Sequence, residues 1–227
     1  MQQNLRERIL KQLRSEIISG ESLPGTLYSV PALSAELDVS TTPVREALLE
    51  LANSGLVEPV RNKGFRVSRP SMKELQDLFA MRDLLEIQAA KLMMIADPPC
   101  DTEPLKHYAH EIERAVKEDD VRAYLVADRS FHNAMFIASG NELLAKMALA
   151  LRDRMRLFGI RSGIGVDRQR ESVDEHYRII ELIDAGKTDE LITLLRYHIL
   201  SWEPIFSAAL EQDDIRNRKK RMLGSGS

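Results

Sequence analysis

The sequence predicts a mainly α-helical chain: a small N-terminal domain of three helices and a β-hairpin, followed by an antiparallel all-α helical bundle. Apolar residues recur at the three- and four-residue spacing of amphipathic helices over most of the chain. The alternation typical of strands is confined to residues 56–67. Aromatic residues make up only 5% of the chain, which also disfavours a β-sandwich.

The composition favours a globular protein of a reducing compartment. Of 227 residues, 44% are hydrophobic and 30% are charged, which is enough for a sizeable core. No apolar run approaches the roughly 18 residues of a membrane span, and the N-terminus lacks the apolar centre of a signal peptide. The single cysteine, Cys100, excludes an internal disulfide and a cysteine-based zinc site. We therefore expect a cytoplasmic protein that does not enter a membrane.

Two helices are predicted in the first part of the chain. The first covers residues 4–19, where apolar residues recur every four positions, and Gly20 follows as a helix terminator. After a turn at Pro24-Gly25, a short second helix begins at Ser29 or Pro31. About four residues then connect it to the next helix, which is the spacing of a helix-turn-helix.

The third helix carries clear signals at both ends. Ser40 is a candidate N-cap, and Pro43 stands in the first turn, where its missing N–H costs nothing. An apolar stripe is formed by Val44, Ala47, Leu48 and Leu51. Hydroxyl groups and Arg45 lie on another face, and Asn53-Ser54-Gly55 ends the helix. The pattern suits a helix presented to DNA, although an ordinary well-capped amphipathic helix has the same features.

A β-hairpin is predicted directly after this helix. Residues 56–60 and 65–67 form its strands, and the turn at Arg61–Gly64 places basic side chains at its tip. Three helices and such a hairpin make a winged helix-turn-helix, whose third helix enters the major groove. Because the net charge is −3, affinity for DNA has to come from the placement of charges. The predicted DNA contacts are Ser40, Thr41, Thr42, Arg45, Arg61, Lys63 and Arg66.

A second domain is predicted to begin at residue 71. Ser71 and Glu74 have the spacing of a capping box, which opens a long helix. Helices are predicted at 72–96, 102–117, 121–139, 142–160, 170–185 and 188–210. Their short connections indicate an antiparallel bundle. The predicted domains are therefore 1–70, 71–212 and a basic tail at 213–227, whose last residues resemble the remnant of an expression tag.

Three histidines and one aspartate of the second domain are placed to share a metal ion. His132 follows Asp128 by four residues, so both side chains lie on one helix face. His176 and His198 lie ten residues before and twelve after Gly186, so a helical hairpin about that glycine would bring them level. All four have apolar neighbours, and buried polar groups need partners. The alternative is a buried Asp–His hydrogen bond with two satisfied core histidines.

Arginines on the bundle helices are candidates for binding a carboxylate. Arg82, Arg152 and Arg156 have spacings that allow at least one guanidinium group to point inward as a fork. Arg82 and Glu86, four residues apart, could equally form a surface ion pair.

The first seventy residues resemble a known DNA-binding domain. The run from Pro24-Gly25 through VSTTPVREALLELANSGLV to the hairpin at Gly64 is similar to that of the GntR family of bacterial transcription regulators. This family usually has Arg where this chain has Thr41, and another basic residue where it has Val30-Pro31. The resemblance implies binding to double-stranded operator DNA, with the operator sequence left open. A homodimer is expected, because one short recognition helix covers too few base pairs.

The second domain is similar to the FCD ligand-binding domain of the FadR subfamily. The matching segments are Asp128-Arg-Ser-Phe-His132, Glu175-His176, Tyr197-His198 and Arg82-x-x-x-Glu86. In many members one Asp and three His bind a divalent metal. The resemblance implies that role for Asp128, His132, His176 and His198. This donor set suits Zn²⁺ best, with Ni²⁺ or Mn²⁺ also suitable, and leaves coordination positions for water or a carboxylate.

The resulting hypothesis is a ligand-responsive bacterial transcription regulator, with repression favoured over activation. A small organic acid would bind the metal and an arginine, repack the bundle, and change the spacing of two DNA-binding domains through the linker at 68–71. One alternative is a metal-dependent hydrolase or lyase with an appended DNA-binding domain. Another keeps the regulator and makes the metal purely structural.

Overall fold

Residues 5–155, 160 and 162–224 are described by a computed structural model, in which the chain divides between Pro70 and Ser71 into two units. The predicted winged helix-turn-helix and the predicted helical bundle are both present. Among these residues, no helix combines the length and the apolar character needed to cross a membrane.

The first unit is a three-helix domain with a small antiparallel sheet. Its elements are α1 (Leu5–Ile18), β1 (Leu27–Tyr28), α2 (Val30–Glu36), α3 (Thr41–Asn53), β2 (Val57–Val60) and β3 (Gly64–Val67). The predicted apolar stripe of α3 is fully buried, and it packs this helix against α1 and α2. Phe65 and Val67 are buried while Arg66 is exposed, so the predicted alternation along β3 is confirmed.

The strand β1 was not predicted, because two residues are too short to show an alternating pattern. It pairs with β3, which gives the sheet order β1-β3-β2 within the described residues. The close approach of β1 explains Gly64, which has φ +120°. A Cβ atom at this position would lie 2.0 Å from the carbonyl oxygen of Tyr28. Any side chain at position 64 would therefore force β1 away from the wing.

The second unit is a helical bundle. Its elements are α4 (Met72–Met94), α5 (Glu103–Lys117), α6 (Val121–Ala138), α7 (Glu142–Met155), α8 (Gly163–Asp184), α9 (Thr188–Leu200) and α10 (Glu203–Gly224). The predicted capping box opens α4: Ser71 Oγ accepts from the Glu74 amide, and the Ser71 amide donates to the Glu74 carboxylate. Helix α4 packs against α6, α7, α9 and α10, whereas α8 packs against α5 and α9.

Two of the helices predicted in the bundle had wrong bounds. Helix α8 begins at Gly163 instead of residue 170, because the Ser162 hydroxyl caps it by accepting from the Gly165 amide at 3.0 Å. The predicted helix 188–210 is two helices, since α9 ends at Leu200 and Pro204 stands in the first turn of α10. Helix α10 extends into the predicted tail, and the predicted end of helix 142–160 falls mostly outside the described residues.

Candidate metal centre

Four side chains from three helices meet inside the bundle. Asp128 and His132 come from one face of α6, His176 comes from α8, and His198 comes from α9. The hairpin about Gly186 brings the last two histidines level, as predicted, with ring centroids 4.9 Å apart. One potential ligand atom from each of the four lies within 4.8 Å of all the others. Each residue is at most 2% exposed.

The atoms that face one another are the atoms that bind metals. Asp128 Oδ1 lies 3.3 Å from His176 Nε2 and 3.7 Å from His132 Nε2. The Nε2 atoms of His132 and His198 are 3.1 Å apart. A span of 4.8 Å is little more than two Zn–N bonds of about 2.0–2.1 Å. One ion can therefore bridge the group after small side-chain movements.

Hydrogen bonds on the far side of two imidazoles fix their orientation. His176 Nδ1 donates to the carbonyl oxygen of Ser172 at 2.5 Å. His198 Nδ1 donates to Glu175 Oε2 at 2.6 Å. Because a carbonyl or carboxylate oxygen only accepts, Nδ1 carries the proton and the Nε2 lone pair points into the cluster.

The three imidazoles are held in the neutral form that a metal ligand needs. Burial lowers the pKa of His176 and the pKa of His198 to about 3. Burial, followed by the charge of Arg152, lowers the pKa of His132 well below its ordinary value. Neutral imidazoles at pH 7 can bind a metal ion without first losing a proton.

One buried nitrogen tests whether a metal ion fits. His176 Nε2 is buried without a hydrogen-bond partner in the described structure, and it faces Asp128 Oδ1 at 3.3 Å. The lone pair of His176 Nε2 and the carboxylate oxygen repel each other. Burial disfavours the protonated imidazole, so a proton shared by the two atoms does not relieve this repulsion. A divalent cation would satisfy both atoms at once. The residues present therefore fit such an ion.

Two of the predicted arginines lie beside this cluster. Arg152 donates to Asp128 Oδ2 at 3.1 Å and to Glu86 Oε2 at 2.9 Å, while Arg82 Nε donates to Glu86 Oε1 at 2.7 Å. The Arg82–Glu86 pair thus exists but is buried, which excludes the surface ion pair. Burial alone would raise the pKa of Glu86, but the two guanidinium groups lower it. Arg156 lies outside the described residues.

A small cavity adjoins the carboxylate of the cluster. Its volume is about 30 Å³, which is room for about two water molecules. The residues that line it are Arg82, Asp128, Arg152, Met155, Ile160, Trp202 and Phe206. Both described arginines predicted to bind an effector therefore line the same small cavity as Asp128.

Sequence reasoning missed a buried arginine near the histidines. Arg168 is 3% exposed; it donates to Glu175 Oε2 at 2.6 Å and to Ser201 Oγ at 3.1 Å. The helix was predicted to begin at residue 170, so Arg168 was placed in a loop. The signal available for Glu175 was its position beside His176 in a matching segment.

The predicted DNA contacts of the first unit are all exposed. Ser40, Thr41 and Thr42 open α3, and Arg45 lies one turn later. Ser40 is at the N-cap, but its side chain makes no capping hydrogen bond. The wing exposes the other three side chains, which are Arg61, Lys63 and Arg66. Of these, Arg66 pairs with Glu58 across the hairpin at 3.3 Å, which offsets part of its charge.

Comparison with known proteins identifies both units. Residues 5–67 match the bacterial regulatory proteins of the gntR family, and residues 77–201 match the FCD domain. The chain belongs to the GntR family. This GntR-family chain is 26% identical to the transcriptional repressor GlaR of Escherichia coli (strain K12), covering 87% of this chain and 94% of GlaR. It is 30% identical to the Nta operon transcriptional regulator of Aminobacter aminovorans, with coverage of 78% and 82%.

A solved structure of a GntR-type protein shows the same fold. E. coli McbR/YncC superposes with a TM-score of 0.80 at 22% identity, covering 93% of this chain and 99% of that one. GlaR and the Nta operon protein are both transcriptional regulators. The GntR-family chain is accordingly a transcriptional regulator with an FCD domain, and the hydrolase or lyase alternative is wrong.

The buried imidazoles predict a pH-dependent stability. In unfolded protein a histidine titrates near pH 6.5, whereas His176 and His198 titrate near 3 when folded. Between these values the unfolded chain binds more protons, so the free energy of unfolding should fall as the pH falls. From pH 7.5 to 5.5 the expected loss in the free energy of unfolding is about 1.4 kcal/mol for each of these two histidines.

Urea titration of chelator-treated protein at pH 7.5, 6.5 and 5.5 measures this slope. His176→Asn should make it shallower, whereas His107→Gln should leave it unchanged because His107 is exposed. Equal slopes in the wild type and the His176 variant would show that His176 does not titrate with folding.

Proposed function

We propose that this regulator binds a divalent metal ion through Asp128, His132, His176 and His198 and senses a small organic acid there. The observation that carries the proposal is the buried, unpartnered His176 Nε2 facing Asp128 among neutral imidazoles. Three imidazoles and a carboxylate suit Zn²⁺ best, with Ni²⁺ or Mn²⁺ also suitable. When bound, the ion would supply a Lewis-acidic position for an oxygen of the effector.

The charge balance of the site favours an anionic effector. The buried carboxylates of Asp128 and Glu86 are already matched by the guanidinium groups of Arg82 and Arg152. A divalent ion adds two positive charges to this balanced group in a buried setting, where unbalanced charge is costly. A carboxylate ligand offsets that charge. Its most direct protein partners are the two arginines, which would exchange part of their contact with Glu86 or Asp128 for the effector.

The size of the cavity supports a link between binding and conformational change. Space for about two water molecules does not admit an organic acid without movement of its walls. Met155 belongs to α7, and Phe206 belongs to α10. An acid that displaces these side chains would repack both helices against α4. A ligand that binds one packing arrangement more tightly than another shifts the population toward the arrangement that it prefers.

We further propose that the protein acts as a homodimeric repressor in the cytoplasm and belongs to the FadR subfamily. Two copies would present two α3 helices to the half-sites of an operator, with Arg45 reading a base and Lys63 holding the backbone. Exposed apolar side chains on the packed helices α4 and α7 support an interface there. They are Met81, Leu84, Leu143 and Met147. GlaR, whose name includes repressor, supports the sign of regulation.

A thermal-shift panel of small carboxylic acids tests the sensor. For a binder present at 100 times its Kd, metal-loaded protein should gain about 2.7 kcal/mol, or about 5–11 °C in Tm. The same acid should give no shift after chelation, and uncharged amides of the acids serve as the matched control. A shift that survives chelation would make the metal structural. No shift with any acid, in protein shown to hold metal, would contradict the proposed effector class.

A further inference from the structure

We infer that Arg168 is a positioning residue for the metal ligand His198 and that it acts through the carboxylate of Glu175. The inference rests on the proposed metal site, and it adds a residue that lies outside the ligand set. Arg168 and Glu175 lie two turns apart on α8, whereas His198 lies on α9.

A single oxygen atom joins the three side chains. Glu175 Oε2 accepts from Arg168 NH2 at 2.6 Å and from His198 Nδ1 at 2.6 Å. Both contacts are short and charge-assisted, and the Glu175 side chain is 11% exposed. The guanidinium group therefore fixes the carboxylate, and the carboxylate fixes the ring of His198 with Nε2 facing the cluster.

The guanidinium group is itself clamped on several sides. Its central carbon lies 5.7 Å from the ring centre of Tyr197 and 5.6 Å from that of Trp202. Arg168 Nε donates to Ser201 Oγ, and NH1 lies 3.8 Å from a carboxylate oxygen of Glu171. Two aromatic contacts and a hydrogen bond hold the fork against the end of α9. A side chain held in this way can transmit a fixed orientation to Glu175.

One of the aromatic contacts of Arg168 belongs to the wall of the cavity. Trp202, which packs against Arg168, also lines the 30 Å³ space beside Asp128. Arg168 therefore contacts one residue of the cavity wall, Trp202, and reaches the outer side of His198 through Glu175. Removing its donors should loosen the ring of His198 without removing any ligand atom.

Metal affinity measured on matched variants tests the inference. Glu175→Gln keeps the shape of the side chain and removes its charge, while Arg168→Met keeps an unbranched apolar stem and removes the donors. Loss of such an outer contact lowers metal affinity by about 10- to 100-fold. Competition for Zn²⁺ with a chromophoric chelator should show this loss in each variant. The double variant should bind Zn²⁺ no more weakly than the weaker-binding single variant, because both changes break the same contact from Arg168 through Glu175 to His198.

Arg178→Met is the matched control. Arg178 also lies on α8 and reaches an acidic residue of α9, Glu190, at 3.5 Å, but this pair is exposed and touches no predicted ligand. Its Zn²⁺ affinity should equal that of the wild type. Arg168→Met binding Zn²⁺ as tightly as the wild type would overturn the inference, as would additive losses in the double variant.

A second measurement separates this inference from the proposed function. If wild-type protein binds no Zn²⁺, the proposed metal site is wrong. Long-range ¹H–¹⁵N spectra of the metal-free protein then test the role of Arg168, because they report which nitrogen of His198 carries the proton. The wild type should show His198 protonated at Nδ1, with that preference reduced in Glu175→Gln and Arg168→Met. An unchanged His198 signal in both variants would overturn the inference. If Arg168→Met does not fold, Arg168→Lys replaces it, with a partial effect expected because Lys lacks the fork.

Discussion

Replacement of His176 by alanine is expected to remove the metal ion and the stability that it provides. Wild-type protein should contain close to one divalent ion per chain by elemental analysis, and the variant should contain almost none. His176 is fully buried and supplies the nitrogen that has no other partner. At a metal concentration 1,000 times the Kd, binding stabilises the folded state by about 4 kcal/mol, or about 8–16 °C in Tm.

The comparison has to separate metal loss from damage to the core. Metal-free wild type and metal-free His176→Ala should differ far less in Tm than the two proteins do after Zn²⁺ is added. His107→Ala, an exposed histidine of the same unit, should keep both the ion and the shift. If the wild type contains no ion and its Tm does not change on addition of Zn²⁺, Ni²⁺ or Mn²⁺, the proposed metal site is wrong. The residues would then be a buried Asp–His pair and two satisfied core histidines.

Replacement of Arg45 by alanine is expected to weaken binding to the operator and to relax sequence preference. Arg45 is exposed one turn into α3, where a guanidinium group can reach a base edge in the major groove. Loss of one such contact costs about 1–3 kcal/mol, or about 5- to 150-fold in Kd. Lys63→Ala should instead weaken all sequences similarly and reduce the salt dependence by about one charge.

Fluorescence anisotropy with duplexes selected from a random pool measures both effects at several salt concentrations. Lys117→Ala, which removes an exposed charge from the second unit, should bind like the wild type. Unchanged affinity in both the Arg45 and Lys63 variants would mean that α3 and the wing do not contact DNA.

Much of the architecture could be predicted because the deciding signals are local. The capping box of Ser71 and Glu74 marks the start of α4, and the burial of the apolar stripe of α3 follows from its spacing. Gly186, with φ +66°, ends α8 and sets the hairpin that brings His176 and His198 level. A helix period and a turn position were sufficient for that prediction.

The remaining details depend on contacts that no local pattern records. The direction of Arg152 follows from carboxylates on two other helices, so its spacing on α7 alone could not show that it bridges Asp128 and Glu86. Arg168 was missed because the helix was predicted to begin only at residue 170, whereas the Ser162 cap starts it at Gly163. Pro204 is a local signal of a helix interruption. The prediction did not use this signal and therefore treated α9 and α10 as one helix.

The distribution of the four candidate ligands has a consequence for local opening of the bundle. Asp128 and His132 lie on α6, and His198 lies on α9, 66 residues after His132. With an ion bound, α6, α8 or α9 could not open separately without breaking a metal–ligand bond. These helices would therefore exchange their amide hydrogens as one cooperative unit, while segments without a ligand could still fray independently.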